Sequence, residues 1–298
     1  MRRIAVLVRA CALAVACALT ASPGAAAPCG GDFNAWLQSF SKEAAAQGVS
    51  QRTLSSALAG LSPNPQVLSL DRNQHATFGQ SFERFSSKRV TAYSVQKGRS
   101  LMKRYAPVLN RIEQQYGVPG PILVAIWGLE SGFGSFTGNL PTLRSLATLA
   151  HDCRRSEKFT EELIAALKII DRGDLSPAEM RGAWAGELGQ TQFLPSSYLK
   201  FAVDYDGNGK RDLIRSAPDV LASTANYLKG YGWRKGQPWG EGSANFQVLL
   251  EWNKSQVYSQ TVAYFATRLK GGAAPRKQAP ALANHHMWGH LFLPAEGF

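Results

Sequence analysis

The sequence predicts a mainly α-helical fold, and three observations carry this. Apolar residues recur three and four apart in segment after segment, no alternating apolar–polar run exceeds a few residues, and cap and glycine signals bracket the periodic stretches. The 298 residues suffice for one large domain or two modest ones with a buried core. With 45% hydrophobic and 18% charged residues, the composition is that of a globular chain, not a disordered one.

Taken in order, Leu54, Leu58 and Leu61 follow Ser50 as an N-cap. Leu101, Tyr105, Val108, Ile112 and Tyr116 form one longer stripe that Gly117 ends. The next helix starts near Pro119 to Pro121 and carries Ile122, Leu123, Ile126, Trp127 and Leu129. Thr160 is placed as the cap for Leu163, Leu167 and Ile170, and Ser176 with Glu179 fits a capping box. Leu221, Ala225 and Leu228 mark a helix ending at Gly230, and Val262, Phe265, Ala266 and Leu269 mark the last one. No repeat of solenoid length is present.

The two ends read differently from this core. Arg2 and Arg3, an apolar stretch from Ile4 to Leu19 interrupted by Arg9, and the small residues around Ala25 to Ala27 make residues 1–27 a secretory signal. The apolar run is too short to span a bilayer, so export and release are expected, with no integral membrane segment after cleavage. Ala14-Val15-Ala16-Cys17 only loosely fits a lipidation site, which makes a lipid anchor the lesser expectation. Residues 271–298, rich at their start in Gly, Ala, Pro and basic residues, read as a tail; His286 and His290 there lack a third ligand for a metal.

Loss of Arg2, Arg3 and Arg9 lowers the formal charge from +12 to +9. A basic exported protein suits an anionic polymer or surface, whereas no Lys/Arg run interleaved with aromatics supports nucleic acid. Cys29 and Cys153 are the two cysteines outside the signal, and in an oxidising compartment they are expected to form one disulfide.

Chemistry concentrates at three places. Glu130 lies in Trp127-Gly128-Leu129-Glu130-Ser131-Gly132-Phe133-Gly134, where an apolar helix delivers one carboxylate to a glycine-rich exit. Half-burial there raises a carboxyl pKa and suits a general acid. The alternative is an ordinary acid at a helix end. The second is the stretch from Ala183 to Tyr198: Gly186 and Gly189 turn the backbone, Gln190, Thr191 and Gln192 offer neutral donors and acceptors for sugars, and Trp184, Phe193 and Tyr198 offer ring faces. A merely packed helix junction is the plainer reading. Third, Asp204, Asp206 and Asn208 with Gly209 meet a calcium-loop pattern, with the Lys210 carbonyl as a further ligand. Arg215 stands where the closing Glu belongs, and Asp219 is the candidate to replace it; an acidic turn without metal is the alternative. Arg154 and Arg155 are candidates to meet substrate carboxylates, or else a solvated basic pair.

Together these residues resemble the lytic murein transglycosylases of the membrane-bound lytic transglycosylase B type. The resemblance runs from about Phe33 to Leu269 and is carried by Tyr116-Gly117-Val118-Pro119, Trp127 to Gly134, Ala183 to Tyr198, the Asp204 loop, Asn226-Tyr227, and Trp252-Asn253 with Tyr258. It implies a lysozyme-like helical core over residues 119–270, with additional N-terminal helices over 28–118. Glu130 matches the catalytic acid/base; Gln192, Tyr227, Asn253 and Tyr258 match residues of the sugar cleft; the Asp204 loop matches a structural Ca²⁺ site. The implied reaction cuts the β-1,4 bond between N-acetylmuramic acid and N-acetylglucosamine in peptidoglycan and leaves a 1,6-anhydro ring, with no cofactor required for the chemistry. Periplasmic location, glycan strands as partners and other wall-remodelling enzymes as further partners follow from the same resemblance. A hydrolytic muramidase and a non-catalytic wall-binding protein are the competing readings. Ala183 stands where the founding member has Ser, Glu187 where it has Ala, and Trp252 where it has Tyr.

Overall fold

The computed structural model describes residues 28–73 and 80–272. The expected signal segment, Cys11, Cys17, His286, His290 and nearly all of the tail lie outside the described residues. Five helices come first: α1 (Phe33–Ala46), α2 (Gln51–Leu58), α3 (Pro65–Arg72), α4 (Phe82–Arg89) and α5 (Ala92–Arg104). Then follow α6 (Ala106–Tyr116), α7 (Gly120–Ser131), α8 (Thr142–His151), α9 (Ser156–Asp171), α10 (Pro195–Phe201), α11 (Ala217–Gly230), α12 (Ala244–Trp252) and α13 (Gln256–Leu269). Strands β1 (Leu140–Pro141) and β2 (Arg181–Gly182) pair antiparallel, with Leu140 opposite Gly182.

Local chemistry explains most boundaries. The side chains of Asp32, Ser50, Asn64, Ser81, Thr91, Ser216, Ser243 and Ser255 each accept a backbone N–H of the helix they precede, as capping requires. Gly117 and Gly132 end α6 and α7 in left-handed conformations that cost glycine little. The 101–116 stripe is two helices, because α5 ends at Arg104 and Pro107, with no N–H to offer, opens α6. Thr160 is not a cap: α9 already begins at Ser156. Ser176 and Glu179 exchange the hydrogen bonds of a capping box, yet they close a turn and start no helix.

Helix α7 is the central element. Ile122 through Ile126 are at most 1% exposed, so no side of this helix faces water. It packs against α13, α5, α6 and α11. Helices α1 to α3 are fastened to this core through α8 and α9, whereas α4 and α5 pack on α13 and α7. Cys29 and Cys153 form the expected disulfide, and Gly30 N–H donates to the His151 carbonyl at 2.8 Å beside it. Ser50 N–H donates to the Asp171 carboxylate at 2.8 Å, tying α2 to the end of α9.

Arg154 and Arg155 belong to this fastening. Both pair with the buried carboxylate of Asp71 in α3, and Arg154 Nη2 also donates to the Asp71 carbonyl at 2.9 Å. Their reading as ligands for substrate carboxylates is therefore corrected. A buried Asp needs neutralising cations, and the two guanidinium groups supply them.

Candidate active site

Helix α7 carries Glu130 in its last turn, and the fold encloses it more deeply than a helix end suggests: the residue is 5% exposed. Burial raises its carboxyl pKa to about 7, because an ionised carboxylate loses water there. Two donors oppose that rise. Tyr258 Oη donates to Glu130 Oε1 at 2.6 Å and Trp252 Nε1 donates to the same oxygen at 2.9 Å. Among the described residues no hydrogen bond or ion pair reaches Oε2.

The corner between α12 and α13 positions both donors. Trp252 ends α12, and Tyr258 lies in the first turns of α13, which Ser255 caps. Asn253 is buried between them and its Oδ1 accepts Ser255 N–H at 2.9 Å, so this residue shapes the corner. Its Nδ2 has no partner. Tyr227, on α11, donates its hydroxyl to the Glu251 carbonyl at 2.9 Å, and its ring meets Trp252 edge-on at 4.9 Å. Phe193 meets Trp252 at 5.4 Å from another side. The indole that donates to Glu130 is thus held by aromatic packing.

The 182–193 segment forms the wall next to α7. Leu188 bridges both Gly182 and Phe193, folding the segment into a tight double turn. Ser131 Oγ donates to the Gln190 carbonyl at 2.5 Å, and Trp127 Nε1 donates to Gln190 Oε1 at 2.8 Å. Gln190 Nε2 donates to the Ile214 carbonyl at 2.8 Å. Gln190 is therefore a structural staple whose polar groups are committed, not a sugar ligand. A Cβ on Gly134 would stand 2.4 Å from Gln190 Oε1, which explains the glycine there. Thr191 and Phe193 are buried, and Tyr198 is wholly buried with its hydroxyl on the Arg211 carbonyl, so these three are core rather than sugar platforms. Trp184 stays half-buried.

Gln192 is half-buried and holds φ +54°, and Phe133 holds φ +63°. These are the two non-glycine residues with positive φ among those described, and they flank the site on its two sides. Such conformations cost free energy and persist where packing enforces them. Gln192 Nε2 donates to the Gly189 carbonyl at 2.7 Å and to the Thr137 carbonyl at 3.1 Å, which joins the wall to the loop after Glu130.

Glu187 is fully enclosed. Its Oε2 accepts Ala185 N–H at 3.1 Å, Oε1 has no partner, and burial raises its pKa to about 8. Its carbonyl accepts Ala183 N–H at 3.1 Å, so the Ala183 position is held through the backbone.

On the far side of α11's start, Asp204, Asp206 and Asp219 each bring a carboxylate oxygen within 4.8 Å of the others. Tyr205 and Asp206 N–H groups donate to Asp219 Oδ1 at 2.8 and 3.1 Å, and Asp212 N–H donates to Oδ2 at 2.8 Å. Gly207 and Gly209 N–H groups donate to Asp204 at 2.8 and 2.7 Å. No Lys or Arg forms an ion pair with these three among the described residues. Three convergent carboxylates without a cationic side chain fit a hard divalent cation. Asn208 spends Oδ1 on Lys210 N–H at 2.9 Å. Arg215, at the place of the usual closing Glu, pairs with Asp212 and Glu179.

Two functional contacts escaped the sequence reading. Trp252 belongs to a motif of the resemblance and departs there from Tyr, but no role is expected for it from the sequence, and its indole N–H donates to Glu130. Lys97 of α5 donates from Nζ to the Gly132 carbonyl and to Ser135 Oγ, both at 3.1 Å, and so clasps the turn that follows Glu130. The local spacing of neither residue signals such a contact; only the packing of α5 on α7 and the placing of the α12–α13 corner beside Glu130 create it.

Comparison with known proteins agrees with this architecture. Membrane-bound lytic murein transglycosylase B of Escherichia coli (strain K12) is 40% identical over 154 residues, a match covering 51% of this chain and 42% of that protein. The chain thus spans less than half the length of that curated relative. SltB3 of Pseudomonas aeruginosa, solved with NAG-anhNAM-pentapeptide, is 33% identical, superposes with a TM-score of 0.76 and is covered, like this chain, over 84%. Slt35 of Escherichia coli, solved in complex with calcium, is 28% identical with a TM-score of 0.71, covering 84% of this chain and 98% of its own. The lysozyme-like helical fold implied by the resemblance is the fold found. Residues 32–243 match the transglycosylase SLT domain, which is most of the chain and includes α7 with Glu130; the chain belongs to that family.

Proposed function

We propose that the chain is a lytic transglycosylase that cuts the β-1,4 bond between N-acetylmuramic acid and N-acetylglucosamine in peptidoglycan, with Glu130 as its acid and base. One observation carries this reading: both protein donors at Glu130 converge on Oε1. Trp252 Nε1 and Tyr258 Oη both donate to Oε1, and two accepted hydrogen bonds take up its lone pairs. In the neutral acid the proton then resides on Oε2, the oxygen without a protein partner.

The chemistry follows from that assignment. Oε2–H protonates the glycosidic oxygen as the bond to the muramyl anomeric carbon breaks. The muramyl N-acetyl carbonyl stabilises the oxocarbenium-like centre. Oε2, now anionic and with its charge shared by the two donors on Oε1, takes the proton of the sugar's 6-hydroxyl. O6 bonds to the anomeric carbon, the ring closes, and Glu130 ends protonated for the next cut. No water enters the balance. Glu187 counts against the hydrolytic reading, because a wholly enclosed carboxyl cannot hold water against a sugar. In this reading residues 119–270 supply the catalytic part and 28–118 support it, while Gln192, Tyr227 and Asn253 shape the cleft around Glu130.

Asp204, Asp206 and Asp219, with the Asn208 and Lys210 positions, would hold Ca²⁺ as a structural ion, the metal with which Slt35 was solved. Its charge would relieve the carboxylate repulsion at the start of α11. The expected export signal and the membrane-bound E. coli relative support a periplasmic location. Among the described residues no helix is long and apolar enough to cross a membrane. The test is mass spectrometry of products from purified peptidoglycan, with Glu130→Gln as control. Anhydro-muropeptides from the wild type alone are expected; products heavier by about 18 mass units, as water addition gives, would sink the proposal.

A further inference from the structure

Glu187 is a wholly buried acid that takes no part in the chemistry above. It lies in the wall segment between β2 and α10. A Cβ on Gly182 would overlap the Glu187 carbonyl, and one on Gly186 would overlap the Leu146 side chain of α8, so the turn is packed directly on β2 and α8. Inside this packing Oε2 accepts Ala185 N–H at 3.1 Å, while Oε1 has no hydrogen-bond partner among the described residues. Two titratable groups act on the carboxyl through their charges, Lys158 of α9 and Glu130 of α7, and α8 presents the apolar Leu146. Burial outweighs the pull of Lys158 and favours the neutral acid. Once ionised, Glu187 would be a charge with an unpartnered oxygen in an enclosed site. That is costly unless the turn opens and lets water in.

Two chains of contacts carry such an opening to Glu130. Leu188 and Phe193 exchange backbone hydrogen bonds at 2.8 and 2.9 Å, and the Phe193 ring meets Trp252, a donor to Glu130 Oε1, at 5.4 Å. Gln190 takes up Trp127 Nε1 at 2.8 Å and Ser131 Oγ at 2.5 Å, and these two residues flank Glu130 on α7. The turn that Glu187 closes therefore holds both the helix that carries Glu130 and the indole that donates to it.

We propose that Glu187 is a positioning residue: its neutral, enclosed carboxyl latches the wall against α7 and Trp252, and its ionisation releases the wall and stops proton delivery by Glu130. This rests on the proposed role of Glu130 and adds to it a second carboxyl that has to keep its proton. No proton passes through Glu187, which stays protonated through the whole cycle.

The experiment follows kcat/KM on purified peptidoglycan from pH 6 to pH 9 for the full chain, Glu187→Gln and Glu187→Leu. The temperature is one at which circular dichroism shows each protein folded throughout. Gln keeps the size and an acceptor for Ala185 N–H and carries no charge at any pH. In the wild type two acids have to be protonated, so activity above pH 8 is expected to fall with the square of the proton concentration. In Glu187→Gln it is expected to fall in simple proportion. The variant should match the wild type within about two-fold at pH 6 and exceed it about ten-fold at pH 9, as a Glu187 pKa of about 8 dictates. Glu187→Leu, which leaves Ala185 N–H without its acceptor, is expected to lose about ten-fold at every pH. A limb equally steep in the wild type and Glu187→Gln overturns the proposal and assigns the second proton to another group, such as Lys158. Glu187→Leu as active as Glu187→Gln overturns it too, and if the Leu variant fails to fold the Gln comparison decides alone. Activity surviving in Glu130→Gln would instead overturn the role of Glu130, so the two failures are read separately.

Discussion

Trp252 Nε1 donates at 2.9 Å to Oε1 of Glu130, the oxygen that Tyr258 also reaches. Donation to the ionised form favours it, so each contact holds the Glu130 pKa below what burial alone would impose. Replacing Tyr258 by Phe, or Trp252 by Phe, is therefore expected to move the alkaline limb of the kcat/KM profile to higher pH. Turnover should fall about ten- to hundred-fold, because the carboxylate that forms on proton donation loses a preorganised donor. A pH-rate profile of each variant checks both points, and an unmoved alkaline limb would count against the assignment.

The wild type should act as its acid form. With a Glu130 pKa of about 7, activity is expected to be high below neutrality and to decline as pH rises through about 7. A plateau extending beyond pH 9 would show that another group delivers the proton.

Burial of the two acids carries a stability consequence of definite sign. Glu187, at about 8, binds its proton more tightly folded than unfolded, where a Glu titrates near 4.5. Its favourable contribution is complete below about pH 4.5 and is lost as pH rises through about 8. Glu187→Gln should therefore be more stable than the wild type at pH 9 by roughly 2 to 4 kcal/mol, and nearly equal to it at pH 4. Thermal unfolding at the two pH values reads the difference.

The acidic loop should couple metal to stability. If Asp204, Asp206 and Asp219 hold Ca²⁺, a chelator lowers the melting temperature of the wild type and leaves that of Asp206→Ala insensitive to the ion. Asp219→Ala is expected to be worse than Asp206→Ala at any calcium level, since three backbone N–H groups lose their acceptor.

Cleavage of the Cys29–Cys153 link tests the fastening of the N-terminal helices. The bond spans 124 residues of chain, and its loss through Cys29→Ser should cost about 2 to 5 kcal/mol. Activity at low temperature should survive, because Glu130, Trp252 and Tyr258 lie on the far end of the network, on α7, α12 and α13.

Helical periodicity was enough to anticipate α7, α11 and α13 and the glycine at which each of the first two ends or nears its end, since these are local matters of spacing and backbone freedom. The glycine-rich exit after an apolar helix was enough to single out Glu130, and a calcium-loop spacing was enough to single out Asp204 and Asp206, with Asp219 entering only as a stand-in for the missing closing Glu. Periodicity failed between α5 and α6, where apolar spacing runs on across Tyr105 while Pro107 restarts the backbone. It also failed to separate sugar-facing from core residues around Gln190 and Tyr198, because a polar or aromatic side chain looks the same in sequence whether its partner is a substrate or a buried carbonyl. The donors on Glu130 come from 122 and 128 residues away in the chain. Their convergence on one oxygen, the enclosure of Glu187 and the capture of Arg154 and Arg155 by Asp71 arise only when distant helices pack, for burial and hydrogen-bond partnership are properties of that packing and not of local spacing.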